Sequence, residues 1–419
     1  MKNVNQKSFD LIVIGAGAAG LFAAVTAAKD GANVLLLERN DRIGKKLAIT
    51  GKGRCNVTND AVTEDVLKNI PRNSRFLYSC ITAFPPDKAM AFFEENGCKL
   101  KVERGNRVFP VSDKSADVIA VFTRLMDKLP ITMDKCRASK LLVTDGQISG
   151  VATDRGEYYA GKVLLATGGA SYPLTGSTGD GYKMAEALGH TIVPPQGSLV
   201  PLVCNDECAD MQGLSLRNTE LKLLDKKGKV VFKDFGELLF THFGVSGPMA
   251  LSASAHLKEG QTYEISLDLK PALDESKLDA RFLRDLEKYS NRSMENALAD
   301  LYPHSMIPVI LAKSGIPADL KAHSLTKTQR RELLNQTKAM RFSVLGTRPV
   351  EEAIITRGGI SVKDIDPKTM ESKLVPGLYF AGEILDCDGY TGGFNLQIAW
   401  STAYAAAKAC TAENRNDIF

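Results

Sequence analysis

Residues Phe9 to Ile14 (FDLIVI) form a nearly unbroken apolar run, the pattern of a parallel strand covered on both faces. A six-residue stretch follows, Gly15-Ala16-Gly17-Ala18-Ala19-Gly20, and then an alanine-rich segment, Leu21 to Lys29, that predicts a helix stopped by Gly31. Asn33 to Leu37 (NVLLL) reads as a second buried strand ending at Glu38, which completes a βαβ unit of about 30 residues. Asp41 to Asp60 reads as a glycine-rich loop, and Val62 to Leu129 as mainly helical with short interruptions. Ile131 to Val143, Ile148 to Thr153 and Glu157 to Ala160 read as short strands, with turns at Asp145-Gly146 and Arg155-Gly156. Lys162 to Ala166 (KVLLA) is another buried strand, followed by a helix over Asp180 to Leu188.

The pattern changes near position 192, where Pro194, Pro195 and Pro201 mark the entry to a different region. Leu221 to Leu224, Val230 to Lys233 and Tyr263 to Leu269 predict antiparallel strands, and Leu273 to Lys338 predicts a small helical part. Strand patterns return at Met340 to Leu345, Glu352 to Thr356 and Gly377 to Glu383, before a long alanine-rich helix from Phe394 to about Ala409. The expected class is α/β. Residues 1–191 and 355–419 should form one discontinuous domain with a parallel sheet, and 192–354 an inserted β-barrel-like and helical domain on the substrate side.

At 419 residues the chain is long enough for two or three domains, and 44% hydrophobic with 24% charged residues is ordinary globular composition. Disordered, collagen-like and small disulfide-scaffold classes are excluded. No apolar run reaches the roughly 18 residues of a membrane-spanning helix. The polar stretch Met1 to Ser8 lacks a signal-peptide core, so a cytoplasmic location is expected. A net charge of +4, from 53 basic and 49 acidic residues, is too balanced to call for nucleic acid. The eight cysteines include no C-x-x-C pair; Cys204 and Cys208 alone lie close, and their spacing reads as incidental. Neither a zinc framework nor H-E-x-x-H is present, so no metal is expected.

The chemistry starts at Gly15-x-Gly17-x-x-Gly20. Gly15 permits the tight turn, Gly17 lets backbone approach a pyrophosphate, and Gly20 lets the helix pack close to the strand. The helix N-terminus offers free N–H groups to the phosphates. Glu38, at the end of the second strand, can accept hydrogen bonds from ribose hydroxyls and would repel a 2′-phosphate. This is a Rossmann-like dinucleotide-binding signature. Leu164 to Gly169 and Leu378 to Glu383 are later strand-to-glycine segments of the kind that return to hold a flavin, with Glu383 placed for a ribityl hydroxyl. Gly389 to Gln397 opens a helix whose N–H groups suit negative charge on the flavin N1–C2=O edge.

Together with Gly44-Lys45-Lys46, Thr50-Gly51-Lys52-Gly53-Arg54-Cys55-Asn56, Ala166-Thr167-Gly168-Gly169, Gly176 to Gly181 (GSTGDG), Thr241 to Pro248 (THFGVSGP) and Gly382 to Gln397, these motifs resemble the two-dinucleotide-binding-domain flavoproteins. More narrowly, the chain resembles the HI0933-like (YhiN/BaiN) family of NAD(P)/FAD-dependent oxidoreductases over nearly its whole length. The resemblance implies FAD, which is expected to be non-covalent since no histidine or cysteine sits at an obvious attachment position. It places Gly15, Gly17, Ala18, Ala19 and Gly20 on the pyrophosphate and Glu38 and Arg39 at the adenosine. Lys45, Lys46, Gly53, Arg54, Cys55 and Asn56 lie along the pyrophosphate, ribityl chain and ring. Ala138 offers backbone to the adenine, and Ala166, Thr167 and Gly168 pass near the ADP half. Gly382, Glu383, Gly393, Asn395, Leu396 and Gln397 hold the ribityl and ring end.

Candidates for the reaction itself are fewer. His242 is read as a general acid or as a turn cap, and Arg54, Arg348 and Arg357 as carriers of a substrate carboxylate. Cys55 reads as a packing thiol or as a redox or flavin-contacting one, Lys226 to Lys229 (KKGK) as a solvated hairpin turn, and Asp180 as a helix N-cap or as a residue that orients part of the flavin site. The expected function is an FAD-dependent oxidoreductase that passes hydride through flavin N5 between NAD(P)H or another donor and a small organic substrate. No second GxGxxG lies between 192 and 354, so a nicotinamide would have to reach the flavin face directly. The order of the STGDGY segment is similar to fumarate-reductase-type flavoproteins, which suggests an activated C=C bond. Rival readings are an RNA-modifying or RNA-binding flavoprotein and a flavin-binding regulatory protein without turnover. Oligomeric state is left open.

Overall fold

The computed structural model describes residues 9–412, so the stretch Met1 to Ser8 lies outside the described residues. Two compact units are present: Met1–Gly197 with Val350–Phe419, and Ser198–Pro349.

The first unit is built on a five-stranded sheet in the order Leu378–Phe380, Val163–Leu165, Leu11–Ile14, Val34–Glu38, Ile131–Lys135. Every neighbouring pair is parallel. Both central strands are buried along their whole length, as their unbroken apolar runs require. Helix Ala18–Lys29 packs against the C-terminal helix Phe394–Thr411; the many small alanines on both allow close approach. Trp400, fully buried, sits among the rings of Phe22, Phe93 and Phe122 at centroid distances of 5.6, 5.4 and 6.0 Å. Its indole N–H donates to the Val57 carbonyl at 2.9 Å.

Three local expectations are corrected. The stretch 62–129 is mainly helical, but one of its interruptions is regular structure: Leu100–Glu103 and Arg107–Pro110 form a hairpin whose second strand pairs with Thr58–Asn59. Positive φ at Gly105 and Asn106 makes that turn, and charged residues within both strands hide its alternation. The glycine-rich stretch 41–60 contains helix Lys45–Ile49 and a one-turn helix Thr50–Gly53. Pro194 and Pro195 lie inside a strand, Ile192–Ser198, rather than only punctuating the chain. Its sheet has just two strands, so both are edge strands, where proline is tolerated.

The second unit holds a closed barrel of strands Leu202–Cys204, Gly244–Ser246, Val230–Thr241, Ser215–Asp225, Tyr263–Asp268 and Met340–Thr347. Alternation explains it: Thr219, Leu221 and Leu223 are buried at every second position of one strand. Helices Glu275–Lys288, Ile307–Lys313 and Lys327–Lys338 belong to the same unit, the last opened by a Thr326/Gln329 capping box. Cys204 and Cys208 are free, buried thiols, and their side chains hydrogen-bond each other. Lys226 to Lys229 form the turn between the two long barrel strands, where the Asp225 carboxylate accepts from the Lys227 and Lys229 backbone N–H groups.

Among the described residues no helix is long and apolar enough to cross a membrane, and no cluster of three or more His, Cys, Asp or Glu could hold a metal.

His190 is a buried titratable group of the first unit. Its ring nitrogens lie 3.1 Å from the Ala185 carbonyl and 2.8 Å from Ser372 Oγ, and burial pulls its pKa down. The unfolded chain therefore takes up a proton before the folded one. Stability should be intact above the unfolded value of about 6.5 and fall as pH drops below it. Thermal midpoints between pH 7.5 and 5 should decline less steeply in His190→Gln than in the natural chain; equal slopes would remove His190 from the effect.

Candidate functional site

All the residues that the resemblance matches to a dinucleotide lie in the first unit, and Gly15, Glu38, Ala166 and Gly382 stand at the carboxyl ends of its parallel strands. Gly15 adopts φ +102°, and a Cβ there would lie 2.6 Å from the Ala166 carbonyl oxygen. That close approach brings the Ala166-Thr167-Gly168 segment beside the first turn. Gly20 passes so near the Gly15 carbonyl that a Cβ would overlap it, whereas a Cβ on Gly17 would meet nothing within 4 Å. Helix Ala18–Lys29 starts with no side-chain cap and no acid in its first turn, which leaves its first N–H groups for an anion. Gly382, at φ +78°, faces Ala19: a Cβ there would stand 2.8 Å from the alanine methyl.

Glu38 is buried at 6% exposure, and its carboxylate ties the first turn to the second strand. Oε2 accepts from the Ala16 N–H at 2.8 Å; Oε1 accepts from the Asn40 N–H at 2.8 Å and from Asn40 Nδ2 at 2.7 Å. Arg39 and Arg137 converge on Asp180 Oδ2 at 3.0 and 2.7 Å. Asp180 thus is not an N-cap, a place taken by Gly179; it occupies the first turn of helix Asp180–Glu186 and spends its carboxylate on the arginines. Burial raises its pKa, but the Arg137 hydrogen bond and the two guanidinium charges outweigh this and hold it low. Ala138 opens the strand Ala138–Thr144, next to Arg137.

Lys46 Nζ contacts both Glu383 oxygens and Ser171 Oγ. Lys45 is 4.0 Å from Asp41. Gly53, at φ +84°, ends the one-turn helix. Arg54 stacks over Phe109 at 4.0 Å and forks between Glu103 and Asp113, and its hydrogen bond is the main cause of the lowered Glu103 carboxyl. A guanidinium so engaged has little left for a substrate carboxylate. Cys55 is wholly buried, with its thiol pushed up to about 12 by burial, as a packing thiol would be. Two buried oxygens, Asn56 Oδ1 and Thr167 Oγ1, have no hydrogen-bond partner among the described residues, so both are ready for a ligand donor.

The C-terminal helix opens at Gly393, φ +104°, again without a side-chain cap or an acid in the first turn. Asn395 holds the preceding turn: Oδ1 accepts from Gly389 N–H and Nδ2 donates to Gly389 O, both at 2.8 Å. Gln397 is fully buried, and its amide is spent on Thr58 Oγ1, Phe84 O and Ser401 Oγ. Its backbone N–H donates to the Gly393 carbonyl at 3.1 Å, so Gln397 holds the helix start rather than offering a donor to a ligand; Leu396 lies between the two at intermediate burial.

The four reaction candidates separate. Arg54 and Arg357 are in the first unit, and Arg357 is buried with its Nε and Nη2 on Gln196 Oε1 at 3.1 and 2.6 Å. His242 and Arg348 are in the second unit, where both address one ring. The Arg348 guanidinium lies 4.9 Å from the Phe243 centroid and the His242 ring 5.0 Å from it, edge-on. His242 is exposed at the hairpin turn between Val230–Thr241 and Gly244–Ser246. Ser171, Thr356 and Arg137 are site residues that sequence reasoning missed. Ser171 sits two residues beyond a motif that was recognised; the other two carry no local signal.

The site geometry suits a dinucleotide whose phosphates meet helix N-termini and whose sugars meet Glu38 and Glu383. A family model, the HI0933-like protein Rossmann domain, matches residues 9–409. The chain is 31% identical over 405 residues to a 3-dehydro-bile acid delta(4,6)-reductase of Clostridium scindens, covering 95% of this chain and 98% of the relative. It is 30% identical over 409 residues to a ribosomal RNA dihydrouridine synthase of Escherichia coli, covering 96% and 98%. Among solved structures, a 3-ketosteroid delta1-dehydrogenase of Sterolibacterium denitrificans superposes with a TM-score of 0.51 at 13% identity, covering 97% of this chain and 100% of the other, which is a likeness of fold. The chain belongs to the HI0933-like family of Rossmann-fold, FAD-dependent flavoprotein oxidoreductases.

Proposed function

We propose that this chain is a cytoplasmic FAD-dependent reductase that saturates a carbon–carbon double bond conjugated to a carbonyl. The observation that carries the reading is common to the two full-length relatives. One is named for reducing the 4,6 double bonds of a 3-oxo bile acid, the other for making dihydrouridine, a uridine whose ring double bond is saturated. The skeletons differ, and the bond type does not.

The chain's own residues support FAD. The uncapped start of helix Ala18–Lys29 and the open face of Gly17 suit the pyrophosphate. Glu38 keeps a lone pair of Oε2 towards the adenosine ribose. The uncapped N-terminus at Gly393 suits negative charge on the ring's pyrimidine edge. FAD, when bound, supplies the hydride chemistry that no side chain provides. His242 is the proton donor of this reading: it is exposed, and Phe243 and Arg348 fix its surroundings. NAD(P)H is the proposed source of hydride.

Anaerobic mixing of the purified yellow protein with NADH and then NADPH should bleach the flavin band with one of them. A conjugated dienone steroid should then restore the band. A flavin that no nicotinamide bleaches would remove the donor, and one that no enone reoxidises would remove the substrate class. A second reading, favoured by the dihydrouridine synthase relatives, places the double bond in a uracil of RNA. It requires a gain of two hydrogens in an RNA oligonucleotide under the same conditions, with salt-sensitive binding.

A further inference from the structure

Glu383 lies in the one-turn helix Gly382–Ile384 that follows strand Leu378–Phe380. Its Oε1 accepts from Lys46 Nζ at 2.9 Å, from Ser171 Oγ at 3.1 Å and from the Thr356 N–H at 2.8 Å. Its Oε2 accepts from Lys46 Nζ at 2.6 Å. Lys46 Nζ also donates to Ser171 Oγ at 2.7 Å. The arrangement is buttressed from behind, because Thr356 Oγ1 accepts from the Ala170 and Ser171 N–H groups at 2.8 and 3.0 Å. Gly169 is part of the same fit: a Cβ there would overlap Thr356 Oγ1 and reach Glu383 Oε1 at 3.1 Å.

Counting donors and acceptors decides what each group has left. An ammonium has three hydrogens, and those of Lys46 are matched by Glu383 Oε1, Glu383 Oε2 and Ser171 Oγ. Oε1 already accepts from three donors, more than its two lone pairs can serve singly, whereas Oε2 accepts from one, so the open acceptor direction of the carboxylate is on Oε2. We propose that Lys46 is a positioning residue: it does not bind the cofactor's pyrophosphate but clamps Glu383, so that the remaining acceptor of Oε2 meets a hydroxyl of the cofactor's sugar-alcohol chain. This differs from the direct cofactor contact implied by the resemblance, and it rests on the flavin reading above. Both partners are four-fifths buried, where a charge-assisted pair is worth far more than on an open surface.

The test is a double-mutant cycle on FAD binding. Protein freed of flavin at high salt is titrated with FAD, followed by quenching of flavin fluorescence, with thermal midpoints to show that each variant folds. Lys46→Met should weaken binding about tenfold or more, and Lys46→Arg should restore it to within about threefold of the natural chain. Glu383→Gln should weaken binding comparably, and the Lys46→Met/Glu383→Gln double variant should be no weaker than the weaker single one. Additive losses would mean that Lys46 contacts the cofactor by itself and would overturn the inference while leaving FAD in place, as would an unchanged Lys46→Met. A natural chain that binds no FAD at all would instead overturn the flavin reading, and this inference with it.

Discussion

Gly17→Ala should fold with an unchanged thermal midpoint and bind FAD at least about tenfold more weakly than the natural chain. The backbone permits alanine there: Gly17 has φ −84°, an ordinary value for any residue, and an added Cβ meets no protein atom within 4 Å. The methyl group would enter the space above the helix N-terminus, where a pyrophosphate has to come into contact with backbone N–H groups. Its cost therefore falls on the ligand alone. Gly20→Ala is the contrasting case, because its Cβ would overlap the Gly15 carbonyl and force helix Ala18–Lys29 away from strand Leu11–Ile14. That variant should lose thermal stability and flavin together. Flavin-to-protein absorbance ratios of the purified proteins, an FAD titration and a melting curve give the whole comparison. A Gly17→Ala protein that holds FAD as tightly as the natural chain would remove the pyrophosphate from this turn.

Trp400→Ala should destabilise the first unit by about 3–5 kcal/mol, which lowers its thermal midpoint by on the order of 10 °C. The indole fills a fully buried space between Phe22, Phe93 and Phe122, side chains that come from three different segments of the chain. Removing it leaves a cavity and strands the Val57 carbonyl without its donor. Trp400→Phe separates these terms, since it keeps most of the volume and loses the hydrogen bond; its loss should be clearly smaller. The readout is circular dichroism on heating. In the natural chain, whose single tryptophan is Trp400, indole fluorescence should report the same transition. A Trp400→Ala midpoint within about 2 °C of the natural chain would show that the aromatic cluster does not hold this unit together.

The parallel strands and the helix behind Gly15 to Gly20 were legible because each is a local pattern: unbroken apolar runs for strands buried on both faces, alanine spacing for the helix, and glycines where backbone has to approach backbone. Strands Leu221 to Leu224 and Val230 to Lys233 were legible only in part. The barrel strands run on to Ser215 and Thr241 through Arg217 to Glu220 and Asp234 to Glu237, stretches with few apolar residues to mark them as strand. The Leu100–Glu103 hairpin was missed because both its strands are short and carry charged residues, and because Arg107–Pro110 gains its second partner from Thr58–Asn59, more than 40 positions away. The same limit applies to the site. Glu383 and Lys46 each stand in a motif visible in the sequence, yet nothing local states that they meet as one ion pair across 337 positions. Asp180 looked like a cap because sequence shows the helix start but not the arginines that cross over to it.

Within the five-stranded sheet the edge strand, Leu378–Phe380, pairs with Val163–Leu165, while Met370 and Ser372 bond its outer side, and Glu383 follows it within a few residues. On the ribosome these pieces emerge in a fixed order. The nascent chain can pair the first, second and third sheet segments early, and unit Ser198–Pro349 is synthesised next as a continuous stretch. Until the C-terminal segment leaves the exit tunnel, Val163–Leu165 is an open parallel edge, and the cradle lacks both Glu383 and the helix N-terminus at Gly393. Completion of this sheet edge thus waits for residues 378–394 to be synthesised, and a product truncated before them would leave Val163–Leu165 exposed.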